Sequence, residues 1–169
     1  GEVLARPVAA AREGVEKRGV APGATRIPDQ RETIVIWDRA TGEPVSNAIV
    51  WQDRRTAARC RELAPRATRI TALTGLPVDP YFSATKIEWL LREERLLERY
   101  SARDLAVGTI DSWLVWMLTG GAVHATDPSN ASRTMLYDID TLEWSTELCA
   151  LFGVPMEMLP GVRRSGGDL

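Results

Sequence analysis

Two short apolar segments, Thr33–Trp37 and Asn47–Trp51, most constrain how this chain can fold. Between them runs Asp38-Arg39-Ala40-Thr41-Gly42-Glu43-Pro44, a stretch of turn formers. Apolar and β-branched runs bounded by Gly, Pro, Asp and Asn predict two strands joined as a β-hairpin with a long loop. The chain beyond Trp51 alternates in type. The pattern predicts a helix over 53–64, with Asp53 as its N-cap and Pro65 closing it, and a short helix over 66–74. After the loop Gly75–Pro80, a helix opens at Ser83 or Thr85 and runs to about Arg92. Its apolar face is Ile87, Leu90 and Leu91, with Trp89 alongside. A charged helical piece is expected around 94–100 and a strand over Leu105–Val107. Asp111–Leu118 is a strongly apolar helix assigned to the core, and Gly120-Gly121 ends it. Asp127–Ser132 reads as a loop or short helix, and Thr134–Tyr137 as extended. Thr146–Phe152 is a short amphipathic helix stopped by Gly153. Upstream, Leu4, Val8, Ala11 and Val15 recur at helical spacing over 3–18. Pro7 is tolerable only in the first turn, Gly19 is the stop, and residues 20–25 form a connection. This alternation predicts an α/β fold.

Composition narrows the partners. The 169 residues suffice for one domain with a core. A net charge of −2 gives no electrostatic case for nucleic acid or an anionic membrane. No apolar run approaches the roughly 18 residues of a spanning helix, no signal peptide is evident, and a cytoplasmic chain is expected. Cys60 and Cys149 fit neither a metal spacing nor a disulfide framework and are expected as small buried thiols. Neither G-x-x-x-x-G-K-[ST] nor G-x-G-x-x-G occurs. His124 is the one histidine, which argues against His-based triads and metal clusters; it is expected at the surface or the edge of the core. The chain opens Gly1-Glu2-Val3 and stops at Gly166-Gly167-Asp168-Leu169, and is expected to be a piece of a longer protein.

Just before the first strand, Arg31 stands next to Glu32. A donor fork beside an acceptor suits a small polyhydroxylated ligand. Successive strand residues point to opposite faces, so both reach one ligand only at a strand end or bend; Pro28 upstream supports such an irregularity. Read alone, the pair is either exposed strand charge or half of a ligand grip. Trp51 is either a strand-end core residue or a ligand contact, and Tyr81, between Pro80 and Phe82, either a loop anchor or a ligand contact.

The segments taken together resemble a known family. Gln30-Arg31-Glu32-Thr33, Asn47 through Thr56 (NAIVWQDRRT), Thr74-Gly75-Leu76 and Asp79 through Lys86 (DPYFSATK) are similar to the glycerol kinase branch of the FGGY carbohydrate kinases. The run YFSATKIEWLLRE, Tyr81–Glu93, resembles that family's first signature. Gly108–Trp116 (GTIDSWLVW), Asp127–Leu136 (DPSNASRTML) and Met158-Leu159-Pro160 continue in register. The resemblance covers about the last 140 residues.

It implies an actin/hexokinase-type, ribonuclease-H-like α/β domain, the first of two lobes with the ligand cleft between them. This chain would be a partial lobe lacking its opening strands, with 1–25 a helix and connection and 26–169 the substrate-binding part. Arg31 and Glu32 would hydrogen-bond glycerol hydroxyls, Tyr81 would add a phenolic contact, and Trp51 would pack on the carbon backbone. The family transfers the γ-phosphoryl of MgATP to glycerol. Its phosphate-binding hairpin is expected upstream of Gly1 and its catalytic aspartate downstream of Leu169. No catalytic, ATP or Mg residue is therefore assigned to this chain, and the chain alone is expected to be inactive. Asp29, Asp53, Asp79 and Asp111 are expected as cap or turn residues. The full enzyme is expected as a homo-oligomer. An unpaired sheet edge and marginal stability are expected of the chain by itself. Two alternatives stand beside this reading: another polyol or sugar kinase of the family, and a catalytically inactive glycerol-binding fragment. One departure is local. Arg26-Ile27-Pro28-Asp29 stands where the family has a Gly-Ile-Thr-Asn-like strand.

Overall fold

The computed structural model describes residues 30–166. The helix expected over 3–18, the connection after it, and Pro28 and Asp29 lie outside the described residues.

The centre is a two-stranded antiparallel ladder. Strand β1 (Ile34–Asp38) pairs with β2 (Leu105–Thr109), Ile34 opposite Thr109 and Asp38 opposite Leu105. Residues 34–37 and all of β2 are buried, so the ladder is covered on both faces. The alternation of side chains then divides the interior. Ile34, Ile36, Leu105 and Val107 join a large aliphatic core with Ile87, Leu90, Phe152 and Met158. Val35, Trp37 and Ala106 turn the other way, toward Trp113 and Trp116.

The expected hairpin is only partly realised. Asn47–Trp51 forms no regular strand; the returning segment meets β1 at isolated bridges, Ile34 with Ile49 and Trp37 with Pro44. Ile34 and Ile49 exchange backbone hydrogen bonds of 3.1 and 3.2 Å, and the Val45 amide donates to the Ile36 carbonyl at 3.0 Å. Pro44 has no N–H to give, and of residues 47–51 only Ile49 is buried. One inward side chain cannot hold a ladder, and β1 takes its continuous partner on the opposite edge.

Most helices stand where periodicity put them. They are α1 (Ala57–Glu62), a 3₁₀ turn (Ala64–Arg66), α2 (Ala67–Thr74), α3 (Ser83–Glu93) and α4 (Leu96–Arg99). Gly75 ends α2 at φ +69°. The first helix begins later than expected. Asp53 does not cap it; its carboxylate instead accepts from the Arg55 amide at 2.8 Å and from the Arg55 guanidinium at 2.7–3.0 Å, closing a turn ahead of α1. Pro65 lies inside the 3₁₀ turn, where a missing N–H costs nothing. The buried Thr56 and Thr85 hydroxyls lie 2.8 Å apart, and the Arg59 guanidinium sits on buried Glu88 at 2.9 Å. These contacts lock α1 onto α3.

Helix α5 (Ile110–Leu118) begins directly after β2. That elbow needs Gly108, because a Cβ there would come within 2.4 Å of the Ser112 Cβ. The placement of α5 in the core holds for Trp113, Leu114 and Trp116; Met117 and Leu118 at its end are exposed. Strand β3 (Ala125–Thr126) and helix α6 (Pro128–Ala131) come next, with Asp127 as N-cap accepting from the Asn130 amide at 2.8 Å. Thr134–Leu136 is a turn rather than an extended run, with Met135 at φ +60°. Regular pairing starts only at β4 (Tyr137–Asp138), which runs antiparallel to β5 (Glu143–Trp144). Helix α7 (Thr146–Phe152) and β6 (Gly161–Val162), parallel to β3, complete the described residues. Cys60 and Cys149 are buried free thiols. No helix among the described residues is long and apolar enough to cross a membrane.

Candidate functional site

Gln30 to Thr33 form a turn, with the Thr33 amide donating to the Gln30 carbonyl at 3.2 Å and its hydroxyl to the Gln30 side chain at 2.7 Å. Arg31 and Glu32 thus stand at a bend ahead of β1. The bend treats them differently: Glu32 is buried at 5% exposure, whereas Arg31 is exposed. Among the described residues no hydrogen bond or ion pair reaches the Arg31 guanidinium.

Glu32 meets a partner far along the chain. Arg133 Nε donates to Glu32 Oε1 at 2.8 Å. No hydrogen bond among the described residues reaches Oε2. The Arg133 guanidinium lies over the Phe82 ring at 4.9 Å and nearer the edge of reach for Tyr81, at 5.9 Å. Tyr81 in turn stands edge-on to Trp51, ring centroids 5.6 Å apart. Glu32, Arg133, Tyr81 and Trp51 therefore form one contiguous array. Trp51 is 37% exposed, which leaves part of its ring open to a ligand.

The turn carrying Tyr81 is held from beneath. Asp79 accepts from the Tyr81 amide at 2.8 Å, as a turn aspartate does. Lys86, in the first turn of α3 and fully buried, donates from Nζ to the Tyr81 carbonyl at 2.6 Å. Burial pulls the lysine down to about 8, against the opposing charges of Asp53, Glu32 and Asp79. The sequence alone singles out neither Lys86 nor Arg133. A lysine on a helix and an arginine in a polar loop ordinarily face water. The available signal for Lys86 is its setting, Ala84-Thr85-Lys86-Ile87, without another charge until Glu88.

Of the remaining candidates, Asp53 is held below the usual carboxylate range, chiefly by the hydrogen bond from Arg55. Asp111 lies in the first turn of α5 and accepts from the Thr109 and Thr126 hydroxyls. Burial pushes its carboxyl up, and those hydroxyls partly offset the shift. Among the described residues no three His, Cys, Asp or Glu side chains gather as metal ligands.

An acceptor oxygen on a buried carboxylate, a phenol and an indole face together suit a small neutral molecule with hydroxyls on a short carbon chain. Residues 13–168 match the family profile described as the FGGY family of carbohydrate kinases, N-terminal domain. The chain belongs to the FGGY carbohydrate kinases. It is 49% identical to the glycerol kinase of Roseobacter denitrificans, over 99% of this chain and 35% of that protein. It is 52% identical to the glycerol kinase of Thermus brockianus, over 94% of this chain and 33% of that protein. In three dimensions it resembles the crystal structure of Plasmodium falciparum glycerol kinase with ADP, with a TM-score of 0.77 and 36% identity. That match covers 90% of this chain and 31% of the other. The chain thus spans about a third of the length of the curated relatives it matches. Its fold is a partial N-terminal domain of the FGGY kinases, which carry the actin/hexokinase-type ATPase fold.

Proposed function

We propose that this chain is the polyol-binding portion of a glycerol kinase, the full-length enzyme passing the γ-phosphoryl of ATP to glycerol. The observation that carries the reading is the array Glu32–Arg133–Tyr81–Trp51, four residues from four separate segments meeting at one place. Glu32 accepts a glycerol hydroxyl through Oε2, Arg31 donates to a second hydroxyl, the Tyr81 phenol supplies a further contact, and Trp51 covers the carbon chain. A site of this kind rejects molecules lacking the hydroxyls, because its polar groups would be left unpaired. The substrate-binding part of the lobe is taken as residues 26–169.

The nucleotide reading is supported by the ADP in the Plasmodium falciparum relative. Bound Mg²⁺ would supply charge neutralisation at the phosphates. The described residues offer no ligand set for it. This chain's own part is to bind and orient the polyol. Two buried, unpaired thiols accord with a reducing cytoplasm.

The test is a coupled ADP-release assay on the full-length kinase with glycerol against a panel of sugars and sugar acids. Glycerol is expected to be the preferred acceptor; preference for a pentulose would move the assignment to another branch of the family. In the same enzyme, Arg31→Ala is expected to weaken glycerol binding by about 1.5–3 kcal/mol, the loss of a charged hydrogen bond. An unchanged glycerol KM would remove Arg31 from the site. The 169-residue chain alone is expected to release no ADP.

A further inference from the structure

We propose that Arg133 is a positioning residue of this site: it commits one oxygen of Glu32 to the protein and so aims the other at the substrate. The inference rests on reading Glu32 as a polyol ligand.

The ion pair is inward-facing and selective. Glu32's side chain is 6% exposed and Arg133's 29%, and the contact runs from Nε to Oε1 at 2.8 Å. A buried carboxylate with no cation would take up a proton or swing toward water. Paired through Oε1, Glu32 has Oε2 left to offer as an acceptor.

Arg133 is itself held rigidly. Its guanidinium lies over Phe82 at 4.9 Å, which limits the rotamers it can explore. Its backbone is tied at both sides: the Arg133 amide donates to the Asn130 carbonyl at 3.0 Å, and the neighbouring Thr134 carbonyl accepts from the Ala84 amide at 2.8 Å. The second of these bonds joins the Arg133 turn to the start of α3, directly after Tyr81 and Phe82. The acceptor on the β1 side and the aromatic wall on the α3 side are thereby fixed relative to each other by one side chain.

A purely structural salt bridge would predict loss of stability alone. The two roles separate in the full-length kinase through four variants: Arg133→Met, Arg133→Lys, Glu32→Gln, and the double variant Arg133→Met/Glu32→Gln. Arg133→Met is expected to raise the glycerol KM by about tenfold or more with kcat within about threefold, the pattern of lost ground-state and transition-state binding. Arg133→Lys keeps the charge without the planar fork. It is expected to fold like the parent and show an intermediate KM, which preserves the test if the methionine variant unfolds. In the double variant the Arg133 effect should vanish, because the residue acts through Glu32. An unchanged glycerol KM in folded Arg133→Met and Arg133→Lys, or additive losses in the double variant, would overturn the proposal while leaving Glu32 in the site. An unchanged KM in Glu32→Gln would overturn the underlying reading, and the proposal with it.

Discussion

At one end of β1 the protein buries a carboxylate beside a guanidinium; at the other it half-buries an imidazole at the edge of a tryptophan cluster. Glu32 accepts from Arg133 Nε at 2.8 Å. His124 gives its charge up. Its ring stands edge-on to Trp37 at 5.1 Å and to Trp116 at 6.0 Å, and Nε2 is 3.1 Å from the Val107 carbonyl oxygen. A carbonyl only accepts, so Nε2 carries a proton. Burial first, and the charge of Arg39 second, push its pKa down to about 4. The two sites show what a polar group beneath a β-ladder can be for. A carboxylate with a dedicated partner on one oxygen has its other oxygen left as an acceptor. A neutral ring with its one donor satisfied only fills and closes the core.

The contrast yields predictions of decreasing size. The largest concerns the tryptophan side. Trp37 is fully buried and touches Trp113, Trp116 and His124. Trp37→Ala should cost about 3–5 kcal/mol in urea unfolding, with the glycerol KM of the surviving folded kinase unchanged. A shifted KM there would show that the two ends of β1 are not separable.

Next comes pH. The folded His124 pKa is about 4, against roughly 6.5 unfolded. The unfolded state alone binds a proton between those values, so the contribution of neutral His124 is complete above about pH 6.5 and is lost as pH falls toward about 4. The loss should be about 2–3 kcal/mol, read as the difference in urea midpoint between the parent and His124→Gln at about pH 7.5, 5.5 and 4.5. Parallel profiles for the two proteins would show that His124 is not buried neutral.

The smallest effect on stability is expected at Lys86, on the charged side. Lys86→Met strands the Tyr81 carbonyl but also removes a buried cation, and the two should nearly offset, leaving a change of about 1 kcal/mol. The glycerol KM should nonetheless rise, because the Tyr81 turn loses its tether. A stability loss as large as that of Trp37→Ala would break the distinction between a site residue and a core residue.

The fold was legible wherever one local pattern decided the outcome. Ile87, Leu90 and Leu91 at helical spacing marked α3, and Trp113 through Leu118 marked α5. Failures came where a distant partner decided. Nothing near Thr33–Trp37 says that its ladder partner is Leu105–Thr109, so the nearer segment was paired instead. Asp53 satisfied a cap pattern, but Arg55 two residues on offered a stronger partner than a helix amide. At the candidate site, the family resemblance pointed to Arg31, Glu32, Tyr81 and Trp51, and the structure brings the last three into one array. Arg133 and Lys86 were not legible, because burial of a long cation is a property of what surrounds it, and its surroundings arrive from elsewhere in the chain.

The β1–β2 ladder also sets a timetable. Roughly seventy residues separate the paired strands, and a ribosome adding about 5–20 residues per second takes several seconds to deliver the second strand. Among the described residues, the nearer contacts of Ile34-Val35-Ile36-Trp37 are the bridging ones at Val45 and Ile49. Those bonds are local, so they can form well before Leu105–Thr109 is delivered, the interval in which an unpaired apolar strand is most exposed to neighbouring copies.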